Sequence, residues 1–348
     1  MSRPNSLGVE YLSRAQLPLQ SDLWWDSVLG LAHFGSRPVA RSPGQVPVSE
    51  LTIAPLVTAE GVCEVWRADG PKTSGRIGAV QYRAGEQLLY GCISVPESIV
   101  LSGGPDNVRS PLELATIRAY TDIFAALDAL AYPQAVRIWN YVPSINEDAV
   151  DGERYWQFNK ARQESFLSRK LPIVDTVPAG SALGTPMGSP LVIYFLASRV
   201  PIRAIENPRQ VSAYHYPSKY GPKSPTFSRA ALLTEPAGDT LLVSGTASIV
   251  GHESVHNDDV AAQTRETIAN INVLITEANR LSRNPRYAAD TLAYKVYMRN
   301  PQHLSTIAAE LRAAVGHRAT VTYLHADVCR RELLVEIEAA SSRTPSAQ

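Results

Sequence analysis

Residues 229–250, RAALLTEPAGDTLLVSGTASIV, and residues 258–281, DDVAAQTRETIANINVLITEANRL, decide the fold between them. The first stretch holds two apolar runs joined at Ala237-Gly238, the pattern of a strand, a turn and a second strand. The second sets Val260, Thr264, Ile268, Ile271, Ile275 and Ala278 on one helical face. Asn257 is placed to cap that helix, and Asp258 and Asp259 suit the positive end of its dipole. A strand, TLAYKVYMR, comes next, then a helix opened by Asn300-Pro301 and closed near Gly316. The strands ATVTYLHADV and LLVEIEAA complete the order ββαβαββ.

The first half repeats that order. IGAVQYRAGEQLLYGCISV reads as a hairpin, and Ser110-Pro111-Leu112-Glu113 is a capping box with proline at the first helical position. It opens LELATIRAYTDIFAALDAL. AVRIWNYVP is the next strand, GERYWQFNKARQESFLSR the next helix, and PLVIYFLASR and IRAIE the last strands. The fold class expected is therefore α+β: two tandem ββαβαββ units with mixed sheets and helices packed on one face. Residues 76–206 make the first unit, 207–228 a connecting segment and 229–340 the second unit. Residues 1–75, with three of the five tryptophans but no clean period, are expected as an extension packed on the first unit. Residues 341–348 read as a disordered tail.

Composition narrows the function classes. The chain has 348 residues, 45% hydrophobic and 19% charged, with formal net charge zero. No global field favours nucleic acid or an anionic membrane. The N-terminus lacks the apolar core of a signal peptide, and no run approaches a membrane span, so a cytoplasmic protein is expected. Cys63, Cys92 and Cys329 are odd in number and widely spaced, suggesting neither a zinc site nor a disulfide framework. His252-Glu253-Ser254-Val255-His256 matches the zincin signature, but it falls in a loop where the motif does not work. Nucleotide-binding glycine motifs and a nucleophile elbow are absent. No metal or organic cofactor is expected.

The connecting segment, NPRQVSAYHYPSKYGPKSPTFSRA (207–230), carries Tyr214, Tyr216, Tyr220, Arg209, Arg229, Lys219, Lys223 and His215 without one Asp or Glu. Four prolines and a glycine keep it irregular. Hydrogen-bond donors and positive charge at a domain junction suit a small anionic ligand. Arg154 and Arg162 are about two helical turns apart and can share a face near Tyr141, or can be plain surface charge. Glu336 and Glu338 alternate on the last strand. They form either a solvated face or, beside Leu333, Leu334, Val335 and Ile337, a general acid with a raised pKa. Aligning IRAIENP with LVEIEAA sets Glu336 against Ala204, as if one copy had lost an acid. Cys329 is either packing or, if exposed beside Arg330 and Arg331, a reactive thiol.

GTASIVGH, AAQTRETIANI and LLVEIEA resemble the YjgF-like deaminase fold. NPRQVSAYHYPSKYGPKSPTFSRA, with RIWNYVPSIN, ERYWQFNKAR and ADVCRRELLVEIEA, is similar to the chorismatase family over about residues 50 to 340. That resemblance implies an enzyme releasing the enolpyruvyl group of chorismate as pyruvate, with no cofactor, as a monomer or homotrimer. It maps the family glutamate onto Glu336, as proton donor to the enolpyruvyl methylene carbon. It maps onto Cys329 the cysteine of the hydroxybenzoate-forming types, which could take the ring proton that restores aromaticity. The product implied is 3-hydroxybenzoate, with 4-hydroxybenzoate beside it in some members. The candidates for holding the two carboxylates are Arg154, Arg162 and Arg229, with Tyr141, Tyr214, Tyr216 and Tyr220 as neutral donors. Alternatives are hydrolysis to a dihydroxycyclohexadienoate, a YjgF-like enamine or imine deaminase, and a silent binding module for aromatic acids.

Overall fold

In a computed structural model, residues 7–39, 45–58, 60–100, 109–150, 152–235, 238–283 and 287–341 are described. Apart from Ser341, the expected tail lies outside them, as does Ala237 of the expected turn.

The N-terminal part is a sheet in its own right. It supplies β1 (Gly8–Ser13), α1 (Asp22–Ser27), β2 (Val28–Phe34), β3 (Val48–Leu51), β4 (Ala54–Pro55) and β5 (Val62–Arg67). Four of these strands pair in the order β1-β5-β2-β3. β4 instead pairs antiparallel with a strand of the second unit, Leu324 opposite Pro55. The extension therefore touches both units, a wider role than a pack onto the first alone.

The first unit runs β6 (Thr73–Ile77), β7 (Val80–Ala84), β8 (Leu88–Val95), α2 (Pro111–Leu130), β9 (Gln134–Pro143), a small hairpin of β10 (Asp148–Ala149) and β11 (Gly152–Glu153), α3 (Arg154–Ser168), β12 (Ala179–Thr185) and β13 (Leu191–Ser198). The capping box closes as expected: Ser110 Oγ accepts from Glu113 N at 3.2 Å, and Glu113 Oε2 accepts from Ser110 N at 2.8 Å. The strands pair as β12-β9-β13-β8-β7-β6.

The second unit runs β14 (Ile202–Ile205), β15 (Ala230–Leu233), β16 (Thr240–Thr246), a hairpin of β17 (Ile249–Val250) and β18 (Glu253–Ser254), α4 (Val260–Leu281), β19 (Leu292–Met298), α5 (Leu304–Val315), β20 (Thr320–His325) and β21 (Val335–Ser341). Its sheet is β14-β15-β16-β21-β19-β20-β4. The two units share one arrangement: a hairpin, a helix, a strand, a helix, a parallel neighbour, then a last strand inserted centrally. The tandem ββαβαββ organisation holds.

Three expectations need correction. The helix cap is Asp259, whose Oδ1 accepts from Ala262 N at 2.9 Å, and Asn257 lies two residues too early. IRAIE, expected to close the first unit, is the edge strand β14 of the second sheet, paired to β15. The first unit ends instead with β12 and β13, so its expected limit at 206 moves to about β13. β12, AGSALGT, escapes notice because it is built of small residues with no apolar alternation. They are needed for close approach: a Cβ on Gly184 meets Asp327 Cβ at 2.6 Å, and one on Gly180 meets Phe227 Cβ at 3.0 Å.

The comparison of Glu336 with Ala204 falls with β14. Ladder registers set Tyr297 opposite Glu336 and Lys295 opposite Glu338 in one unit, Tyr141 opposite Val192 and Trp139 opposite Tyr194 in the other. The counterparts of the two glutamates are thus Val192 and Tyr194. Tyr141 and Tyr297 meet across the molecule, hydroxyl to hydroxyl, at 2.6 Å. Helices cover the outer face of each unit, where Ile193 and Ile337 point into separate helix–sheet cores. The inner faces of all three sheets share one further core, with Phe34 and Trp66 from the N-terminal sheet, Trp139 and Tyr194 from the first unit, and Tyr297 and Leu324 from the second.

Candidate functional site

Where the inner layer reaches the surface, between the start of α3 and the end of the second sheet, lies a cavity of about 290 Å³. That is close to the lower end of the range for small-molecule sites. Its floor is Glu336 of β21. The wall from the connecting segment is Tyr216, Lys219, Tyr220, Pro225, Phe227 and Arg229; the opposite wall is Glu153, Tyr155 and Trp156. The loop from Cys329 to Glu332 closes a third side.

Glu336 owes its place to a break in β16. Register shifts between Val243 and Thr246, and a Cβ on Gly245 lands 1.9 Å from Glu336 Oε1 and 2.9 Å from Ser181 Cβ. Only glycine leaves space for the carboxyl there. Ser244 holds the break in place: its Oγ donates to Ser228 O at 2.6 Å and accepts from Gly180 N at 2.9 Å, tying β16 to β12 and to the end of the connecting segment. Glu336 is 3% exposed. Burial, and then the Glu338 carboxylate beside it, push its pKa up to about 8, against the opposing pull of Arg137 and Arg229. At neutral pH it holds its proton and faces a cavity, as a general acid must.

Two guanidinium groups on the cavity wall offer donors without a partner among the described residues. Arg229 gives Nη2 to Tyr216 Oη at 2.6 Å and to Val211 O at 2.9 Å, and its plane lies against Phe227 and Tyr216. Its Nε has no partner. Arg330 lies over the Tyr220 ring at 3.8 Å, and its Nη1 donates to His252 O and Ser254 Oγ. Its Nη2 has no partner. Among the described residues neither arginine is ion-paired to a carboxylate, unlike Lys219 with Glu253 and Arg331 with Asp148. Buried, unpaired N–H donors are costly and point to an anionic ligand.

Cys329 faces the same cavity. Burial, then Glu336, push its thiol up to about 12, so it is neutral at pH 7. Of the two readings of Cys329, the one that required exposure and a pKa lowered by the arginines is not met. Among described residues, the HESVH sequence is split by the β17–β18 hairpin. His252 Nδ1 lies 3.3 Å from Tyr220 Oη, whereas His256 Nε2 lies 3.6 Å from Glu266 on α4. The two histidines do not converge.

Of the expected site residues, Glu336, Cys329, Tyr216, Tyr220 and Arg229 come together, and four do not line the cavity. Tyr141 is fully buried in the inner core, bonded to Tyr297 and Tyr194. Tyr214 turns away, with its hydroxyl 3.5 Å from Asp175 Oδ1. Arg154 is held by Glu97 and by Pro143 O at 2.9 Å. Arg162 is 3% exposed and lies over the Phe158 ring at 5.2 Å, and its Nε also has no partner among the described residues. Eight helical positions bring two residues near one face, but Arg154 opens the helix and is caught by a neighbouring loop. Arg330 and the aromatic wall of Tyr155, Trp156 and Phe227 escaped sequence reading. The only signal was the unusual Cys-Arg-Arg before the last strand.

Residues 64–197 match the family described as Chorismatase FkbO/Hyg5-like, N-terminal. A chorismatase of Streptomyces rapamycinicus is 39% identical over 286 residues, 80% of this chain and 82% of that protein. A 3-hydroxybenzoate synthase of Streptomyces hygroscopicus is 35% identical, over 81% of this chain and 82% of its own length. A chorismatase crystal structure superimposes with a TM-score of 0.84 at 30% identity, covering 97% of this chain and 99% of that one. No helix among the described residues is long and apolar enough to cross a membrane.

Proposed function

This chain belongs to the chorismatase family, and we propose that it converts chorismate to 3-hydroxybenzoate and pyruvate with Glu336 as the proton donor. The observation that carries this reading is a buried carboxyl with a pKa of about 8 facing a cavity that also holds two guanidinium groups with unused donors. Chorismate has one carboxylate on the ring and one on the enolpyruvyl group. Arg229 and Arg330 are the anchors proposed for them, each stiffened by aromatic rings so that little freedom is lost on binding. Tyr155, Trp156 and Phe227 are the apolar walls proposed for the ring.

Glu336 protonates the enol-ether methylene carbon. The bond between ether oxygen and ring carbon then breaks, and its electrons leave with pyruvate. The neighbouring ring hydroxyl closes on the vacated carbon and gives its proton to the Glu336 carboxylate, which is now a base. Opening of that epoxide takes the proton from Glu336 onto the oxygen and leaves the carboxylate again, and loss of the ring hydrogen to that carboxylate as a proton restores aromaticity. No water is consumed: chorismate and the two products balance atom for atom. Cys329, a neutral thiol, is a poor base by itself. Beside the Glu336 carboxylate it can pass on its own proton as it accepts the one from the ring.

Incubating the purified protein with chorismate, while following pyruvate and separating ring products, tests the reading. Pyruvate with 3-hydroxybenzoate, alone or with the 4-isomer, supports it. Pyruvate with a dihydroxycyclohexadienoate overturns the product assignment, and pyruvate at the spontaneous rate overturns the reaction.

A further inference from the structure

Beneath the cavity floor lies a set of buried charges that the proposed reaction does not use. Lys295, fully buried, is surrounded by the rings of Phe34, Trp139, Tyr194 and Tyr297, each 5.4–5.6 Å from its Nζ. Its Nζ bonds to Glu64 of the N-terminal sheet, to Tyr194 Oη at 2.9 Å and to Glu338 Oε2 at 3.1 Å. Glu338 is further held by Trp139 Nε1 at 2.9 Å and Arg137 Nη2 at 3.0 Å. Glu64 accepts from Trp66 Nε1 at 2.7 Å. Two cations and two anions, drawn from all three sheets, balance within one buried layer. Such a lattice is expensive to bury and a weak stabiliser.

Glu338 is two residues from Glu336 on one strand, so their side chains share a face. Besides Glu338, the charged or titratable groups acting on Glu336 are Arg137 of β9, Arg229 of the connecting segment and Cys329 of the loop before β21. Tyr297 is its ladder partner. Glu338 is the one anion of the lattice set next to the acid. We propose that Glu64, Lys295 and Arg137 are positioning residues that fix Glu338 as a carboxylate, and that this fixed negative charge adds to burial in keeping the proton on Glu336, against the direct pull of Arg137. The N-terminal sheet is thereby part of the active site's electrostatics although none of its residues lines the cavity. The direction of the Glu338 titration agrees: burial works against its charge, yet Lys295 and Arg137 hold its carboxyl below the usual range.

This inference rests on Glu336 being the acid, and the two ideas can fail separately. Glu338→Gln removes the neighbouring anion and keeps the shape, with one acceptor oxygen left for Trp139 and Lys295. Glu64→Gln removes a more distant one and keeps folding testable if the first variant does not fold. Pyruvate release is measured against pH. In parallel, the protonated-carboxyl infrared band of Glu336, identified by its loss in Glu336→Gln, is titrated in the same variants. The expected result is an alkaline limb and a band titration shifted to lower pH by about one unit in Glu338→Gln, and by less in Glu64→Gln, with KM for chorismate little changed. A folded variant of either kind with limb and band both unmoved makes the lattice merely structural and overturns the inference. If Glu336→Gln still releases pyruvate at the wild-type rate, the reading of Glu336 as the acid fails instead.

Discussion

At the scale of single residues, the proposed chemistry turns on Glu336 and its neighbours. Replacing Glu336 by Gln keeps the shape and removes the acid. Pyruvate release is expected to fall by about 100-fold or more, while chorismate binding, measured calorimetrically, persists. In the unaltered enzyme the rate is expected to decline as pH rises through about 8, because the protonated form is lost there. Gly245 carries the same acid from below. Gly245→Ala sets a methyl against the carboxyl, and such overpacking typically costs about 1–3 kcal/mol. The expected outcome is loss of most pyruvate release with a folded circular dichroism spectrum. For Cys329→Ala the ring products should shift toward the dihydroxy diene while pyruvate release continues. An unchanged product ratio, read by chromatography, reduces the thiol to packing.

At the scale of elements, the site is assembled from pieces whose local structure the sequence declares unevenly. The α2 start was plain because a capping box is a local pattern with a local physical cause. The connecting segment was also plain, since prolines and a donor-rich, acid-free composition need no tertiary partner to be informative. β12 was not, because its small residues answer to Phe227 and Asp327 from distant parts of the chain. Arg330 belongs to this scale: its loop and the connecting segment hold each other through the stack on Tyr220 and the bond to His252 O. Arg330→Met removes one proposed carboxylate anchor. A KM for chorismate raised about tenfold or more, with kcat changed much less, is the expected steady-state result. An unchanged KM removes Arg330 from the binding site.

At the scale of the whole molecule, three sheets enclose one inner core and the charges within it bind them together. Glu64 is 1% exposed and pairs with a fully buried lysine of the second unit. Its truncation to Ala leaves Lys295 undercompensated, and losing one partner of such a pair costs about 3–5 kcal/mol. Denaturant unfolding should show that loss as a lower midpoint. A midpoint within error of the wild type means that Lys295 finds Glu338 alone sufficient. The asymmetry of the duplicated units appears here as well: two acids in β21 stand where β13 has Val192 and Tyr194, so the molecule has one acidic floor and one aromatic counterpart.

The acid on the last strand was singled out by the family resemblance, whereas the sequence by itself determined the tandem ββαβαββ units and the basic, proline-stiffened segment between them. Each of these rests on periodicity, capping or composition, which act over a few residues. Tertiary structure alone decided which strand closes the first unit, which arginines face the cavity, and that Tyr141 and Arg154 do not. It also decided the charge states of Glu336 and Cys329. A strand's place in a sheet depends on a partner far along the chain, and a buried proton depends on the summed field of groups from three sheets. Neither quantity is present in any local stretch of the chain.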